Sequence, residues 1–165
     1  MAEGRREGYR VKLGHVRLKV RNMDRAISFY TRMLHMRLAE KVGNEYAFLS
    51  GSDSYHEVAL QRVSEAAPAP AAEATGVDHV AFELADQQEL ARAFQALSEA
   101  GVTPRTVDNG ISWAMYFSDP DGNPLEFFCD TRRIPGGRER WQGRVEDLAP
   151  ATILGVLREG KHPIA

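Results

Sequence analysis

The sequence predicts an α+β fold of two tandem βαβββ modules whose strands form a curved mixed sheet around a cavity. Three observations carry this expectation. Two stretches, Leu13 to Arg62 and Val77 to Asp130, repeat one order of strand and helix patterns. Between them, VSEAAPAPAAEATG from Val63 to Gly76 has no large aliphatic side chain after Val63 and reads as a linker. One half-module cannot cover both faces of a small sheet, but two can join their sheets and cover the outside with helices. The domain is therefore expected over 13–130, with modules 13–62 and 77–130, and an extension over 131–165.

The first module opens with LGHVRLKV, in which Leu13, His15, Arg17 and Lys19 alternate with Val16, Leu18 and Val20 as in a period-two strand. Asn22 or Asp24 can cap the helix that follows, because Ile27, Phe29, Tyr30, Met33 and Leu34 recur at helical spacing. Short β segments are then expected over Leu38 to Val42, Tyr46 to Leu49 and His56 to Gln61. Their separators, Gly43-Asn44 and Ser50 to Ser54, are turn-forming. The second module opens in the same way with VDHVAFEL. Asp86 can cap a helix over Gln87 to Ala100, and Gly101 stands just past its end. Strands are expected over Thr103 to Val107, Ser112 to Phe117 and Pro124 to Cys129, separated by Asp108-Asn109-Gly110 and by DPDGN from Asp119 to Asn123. From Thr131 the chain is rich in Arg and Gly, and it ends in a weak helical stripe of Ile153, Leu154 and Leu157.

Composition bounds the function. A chain of 165 residues is too short for a barrel of eight strand-helix units. With 21 Lys and Arg against 23 Asp and Glu, the net charge of -2 gives no global field for nucleic acid or an anionic membrane. No apolar run is long enough to span a bilayer, and no apolar segment follows the basic start to make a signal peptide, so a cytoplasmic protein is expected. The single cysteine, Cys129, excludes an intramolecular disulfide and multi-cysteine metal sites, and it reads as an inert core thiol. Any metal must be held by histidine and carboxylate.

His15 and His79 occupy equivalent places at the head of each module's first strand. If Val16, Leu18 and Val20, and Val80, Phe82 and Leu84, pack on the helices, the histidine faces line the concave surface. Glu126 stands in NPLEFF between apolar neighbours, where a carboxylate is costly to bury unless it is paired or bound to a metal. Each of these residues alone has a structural explanation. Together, at matching places of a repeat, they are the two imidazoles and one carboxylate that form a facial set on a non-haem iron. His56 in SYHEVAL reaches towards the same cavity as a fourth ligand or an acid-base group, while its neighbour Glu57 takes the opposite face. Tyr116, across the hairpin from Glu126, can hydrogen-bond a substrate oxygen or simply sit in the core. Phe48, Trp113 and Phe128 can line a cleft for a flat ligand. His35 is expected as a helix-end cap or a surface residue, and His162 in a mobile terminus.

LGHVRLKVRNMDRAISFYTRML, VDHVAFEL and MYFSDPDGNPLEFF together resemble the vicinal oxygen chelate superfamily of glyoxalases, fosfomycin and bleomycin resistance proteins, and type I extradiol dioxygenases. Within it the residues look most like a one-domain extradiol dioxygenase. That resemblance implies Fe(II), or alternatively Mn(II), Ni(II) or Zn(II), on His15, His79 and Glu126, with His56 and Tyr116 as catalytic residues. It further implies an aromatic diol and O2 as substrates, a ring-opened product, and a homodimer or higher homo-oligomer with no nucleic-acid or membrane partner. The sequence departs from many extradiol enzymes in having no histidine in VDNGI, Val107 to Ile111, and in offering one pair of modules. A glyoxalase-like or fosfomycin-resistance-like metal lyase, isomerase or transferase, and a metal-free ligand-sequestering protein, stand as alternatives.

Overall fold

Capping and pleat give both halves of the chain the same order of elements. The first half runs β1 (Val16–Val20), α1 (Met23–Met33), β2 (Arg37–Val42), β3 (Tyr46–Ser50) and β4 (Val58–Arg62). The second runs β5 (Val80–Glu83), α2 (Gln87–Glu99), β6 (Arg105–Asp108), β7 (Ser112–Ser118) and β8 (Pro124–Asp130). This computed structural model describes residues 11–71, 73–135 and 137–159. Residues 1–10 and His162 lie outside them.

Asn22 begins α1, its side chain accepting from the Arg25 amide at 2.9 Å. Asp86 begins α2 in the same way through the Glu89 amide at 2.8 Å. Gly101, at φ +79°, ends α2 in the left-handed conformation that lets the Val102 amide reach back to the Leu97 carbonyl at 2.9 Å. At the end of α1, His35 takes that conformation at φ +52°, so it is the expected helix-end residue.

Hydrogen bonding yields two mixed sheets, one from each half: β1-β4-β3-β2, and β5-β8-β7-β6 extended by β9 (Glu146–Asp147). In each, the helix crossover makes the first strand parallel to the last, β1 to β4 and β5 to β8, and the remaining pairs are antiparallel. Three strands start later than expected. β1 starts one residue after His15, β5 one residue after His79, and β4 two residues after His56.

One core spans both halves. Val20 is fully buried, and Val16, Leu18, Val80, Phe82 and Leu84 pack against the cluster formed by Met23, Tyr30, Leu90, Phe94 and Leu97. The alternating residues His15, Arg17 and Lys19, and His79, Ala81 and Glu83, therefore face away from it. The first half's helix is also fastened to the second half. The buried Tyr30 hydroxyl donates to Asp119 Oδ2 at 3.1 Å, and Arg25 donates to Asp121 Oδ1 at 2.8 Å. Phe29 meets Phe117 with ring centroids 6.5 Å apart. The weak C-terminal stripe does form a helix, α3 (Pro150–Glu159), which packs on α2 with Ile153 fully buried. Thr106 ties down its approach by donating to the Leu148 carbonyl at 2.6 Å. Among the described residues no helix is long and apolar enough to cross a membrane.

Candidate metal centre

The pleat of the second sheet gathers three of the expected residues. Parallel register sets Ala81 opposite Glu126, and antiparallel register sets Tyr116 opposite Glu126, so the carboxylate and the phenol share one face. His79, at the head of β5, reaches the same face. Its Nε2 lies 2.9 Å from Glu126 Oε2, and its ring centroid is 5.3 Å from that of Tyr116. Glu126 is 8% exposed although it carries a carboxylate. Burial first, and Glu126 second, push the Tyr116 phenol above its ordinary pKa, while Asn109 and Arg105 pull the other way. The phenol therefore stays a protonated donor at neutral pH.

His79 Nδ1 is 2.6 Å from Asp78 Oδ2. When Nδ1–H donates to Asp78, the Nε2 lone pair is left facing a carboxylate oxygen. Two such atoms are held together only by a shared proton or a shared cation. An imidazole nitrogen 2.9 Å from a largely buried carboxylate oxygen is a donor pair whose chemistry fits a metal.

His15 and His56 form a second group on the first sheet, with ring centroids 4.7 Å apart. Phe48 and Tyr55 wall the His56 ring at 4.9 and 5.1 Å. Both His56 ring nitrogens are buried with no hydrogen-bond partner among the described residues. Leaving one such group unsatisfied costs about 1–3 kcal/mol, so the ring is set up for a partner from outside the described residues.

Glu57 is engaged elsewhere. One oxygen accepts from the Gly51 amide at 2.9 Å, and the other takes the hydroxyls of Ser52 and Ser54. Burial alone would raise its pKa, but these hydrogen bonds together bring it down to about 2. The His56 ring is the one that packs on the His15 ring, while the Glu57 carboxylate is held by the 50–54 loop.

The expected ligands therefore come in two groups. Among the described residues no three His, Cys, Asp or Glu side chains converge as a metal-holding set. The donor chemistry fits a metal, but one chain brings together two of the three donors. Trp113 lines a cavity with Gly110, Ile134 and Arg138, away from the face of Glu126. Register pairs it with Cys129 on the core side of β7, where its indole donates to Asp108 Oδ2 at 3.2 Å, whereas Phe128 shares the face of Glu126.

Two contributors were not singled out from the sequence. Asp78 differs from its counterpart Gly14 in the repeat, a signal visible in VDHV against LGHV. Asn109 touches Tyr116 from the loop that carries no histidine, and only the fold of the β6–β7 connection reveals it.

Residues 12–127 match the model of the Glyoxalase/Bleomycin resistance protein/Dioxygenase superfamily. The chain is 30% identical over 147 residues to a catechol-2,3-dioxygenase of Bacillus subtilis (strain 168), which covers 89% of the chain but only 51% of that protein. It thus spans about half the length of this relative. It is 27% identical over 130 residues to the glutathione transferase FosA of Serratia marcescens, covering 78% of the chain and 89% of the transferase. Its fold is similar to that of a glyoxylase/bleomycin resistance protein/dioxygenase domain from Frankia sp. EAN1pec, with a TM-score of 0.63 and 22% identity over 74% of the chain and 99% of that domain.

Proposed function

The chain belongs to the Glyoxalase/Bleomycin resistance protein/Dioxygenase superfamily, and within it we propose a metal-dependent extradiol dioxygenase that opens the ring of a catechol-type diol with O2. The observation that carries this reading is the grouping of His79, Glu126 and Tyr116 on one sheet face, imidazole and carboxylate beside a protonated phenol. The similarity to a catechol-2,3-dioxygenase supports the same choice. Fe(II), when bound, supplies a redox-active Lewis acid with room for two substrate oxygens and O2.

The protein's own groups then have separate tasks. His79 and Glu126 serve as two of the donors, and Asp78 orients the imidazole by holding its Nδ1. Tyr116 donates a hydrogen bond to an oxygen on which negative charge develops, which is worth most in a site that excludes water. His56, with no hydrogen-bond partner among the described residues and walled by aromatic rings, accepts a proton from a diol hydroxyl and returns it later. Phe48 beside it offers a flat surface for the ring of the substrate.

Anaerobic loading with Fe(II), followed by a panel of catechols and air, tests the proposal. Stoichiometric O2 uptake with a yellow ring-fission chromophore is expected, and no O2 consumption across the panel refutes it. A second reading, a metal-dependent thiol transferase, lyase or isomerase, is favoured by the match along 89% of FosA. Turnover with Mn(II), Ni(II) or Zn(II) and no O2 uptake identifies that class.

A further inference from the structure

We infer that the cavity between β1 and the linker is an anion site, which takes the carboxylate of a small organic acid between Arg17 and Lys19. The site stands apart from the dioxygenase reading, and only the assignment of that acid to the substrate itself rests on it.

Over 63–71 the linker between the modules packs on the fold. Ladder bonding continues past β4, the Val63 amide donating to the Val20 carbonyl at 2.9 Å. A turn follows, in which the Ala67 amide donates to the Ser64 carbonyl at 3.0 Å. Pro68 and Pro70, whose rings fix φ, then run beside the DPDGN turn, where a side chain added at Gly122 would meet Ala69 at 3.4 Å and Pro70 at 3.7 Å. Asn123 of that turn donates to the Lys19 carbonyl at 3.0 Å. The linker, this turn and β1 thereby surround a cavity of about 480 Å³, within the roughly 300–1,000 Å³ of small-molecule clefts.

Charge gives the cavity its preference. Arg17, Lys19 and Arg21 line it against one carboxylate, Asp121. That carboxylate is already matched, because its Oδ1 lies 3.3 Å from Arg21 Nε and 2.8 Å from Arg25 Nη2. Arg17 and Lys19 have no carboxylate within ion-pair distance among the described residues. They share one face of β1, about 7 Å apart, and Arg17 is steadied over the Tyr46 ring at 5.8 Å from its centroid. A carboxylate between them accepts from the guanidinium fork and from the ammonium together. Val63, Ala67, Pro68 and Pro70 bring no polar side chain to the opposite wall, which suits an apolar body behind the acid. Two sources present that chemistry. One is an acidic substituent on the diol, since His15 precedes Arg17 by two residues on the same side of the chain, and the other is a separate acid.

Calorimetric titration of the full chain with benzoate, and with benzamide as its uncharged isostere, tests the inference. Benzoate is expected to bind about tenfold more tightly than benzamide at low salt, with the gap narrowing as salt screens the two cations. Arg17→Gln and Lys19→Gln should each weaken benzoate about tenfold, and Arg17→Lys, which keeps the charge, should weaken it less. Both side chains are exposed, so circular dichroism of each variant should match wild type. Equal affinities for benzoate and benzamide, or benzoate binding that neither glutamine substitution weakens, overturns the inference. In the chain loaded with Fe(II) without O2, 3,4-dihydroxybenzoate binding about tenfold more tightly than benzoate assigns the acid to the substrate, and equal affinities assign it to a separate ligand. Absence of O2 uptake with catechols would remove the dioxygenase reading while leaving the benzoate result standing.

Discussion

Removing the carboxylate of Asp119 should unfasten α1 from the second half of the chain. Asp119 is 4% exposed and accepts four hydrogen bonds, from the Tyr30 hydroxyl, the amides of Asp121 and Asn123, and the Asn123 side chain. Tyr30→Phe deletes one of these and leaves Asp119 with three donors, for an expected cost of about 1.5 kcal/mol. Asp119→Ala also strands a hydroxyl that no water can reach, because Tyr30 is fully buried, and the total cost is about 3–4 kcal/mol. In a chain that already carries Tyr30→Phe no hydroxyl is stranded, so the same alanine substitution should cost about 1.5 kcal/mol less. Urea denaturation of the four proteins, read by circular dichroism and fluorescence, gives the cycle directly. Additivity to within about 0.4 kcal/mol would mean that Tyr30 does not dock on Asp119 in solution. The packing that separates the two donor groups would then fall with it.

Three further outcomes are expected. Tyr116→Phe should lower kcat on a catechol roughly 100-fold while leaving bound metal unchanged, because the phenol is a hydrogen-bond donor to substrate and not a metal ligand. Glu57 has its pKa lowered from 4.5 to about 2 by its hydrogen bonds, so its stabilising contribution is complete above the unfolded value and is lost as pH falls towards 2. Wild type should therefore exceed Glu57→Gln in urea midpoint near neutral pH, with the gap closing between about pH 4.5 and 2; a gap that does not change with pH would refute this assignment. Burial raises the Cys129 thiol to about 11, so iodoacetamide at pH 8 should label it only after denaturation, and rapid labelling of the folded protein would show the β7–β8 ladder to be open.

Much of the site could be read from the chain because its signals are local. Asn22, Asp86 and Gly101 mark helix ends by their own side-chain and backbone chemistry. The repeated strand openings place His15 and His79, and NPLEFF places Glu126 on a pleated face. Other features depend on distant partners. Glu57 and His56 alternate along the chain, but the Glu57 carboxylate is held by serines in the preceding loop while the His56 ring packs on His15, and serines in a turn carry no such signal by themselves. Trp113 is aromatic enough for a binding cleft, and only its pairing with Cys129 puts it beside a cavity away from Glu126. Asn109 reaches Tyr116 through a turn whose path follows from the strands on either side.

The sequence by itself determined the duplicated βαβββ order, the helix caps and the kinds of donor available, since period, turn chemistry and residue type act over a few positions. Only the tertiary structure decided how the donors are distributed. Both sheets bury their apolar faces in one core, and Asp119 and Asp121 secure α1 to the second half, so His79 and Glu126 meet while His15 stands with His56. That outcome comes from packing between segments a hundred residues apart, as in the Arg21–Asp121 hydrogen bond, and no local pattern encodes it.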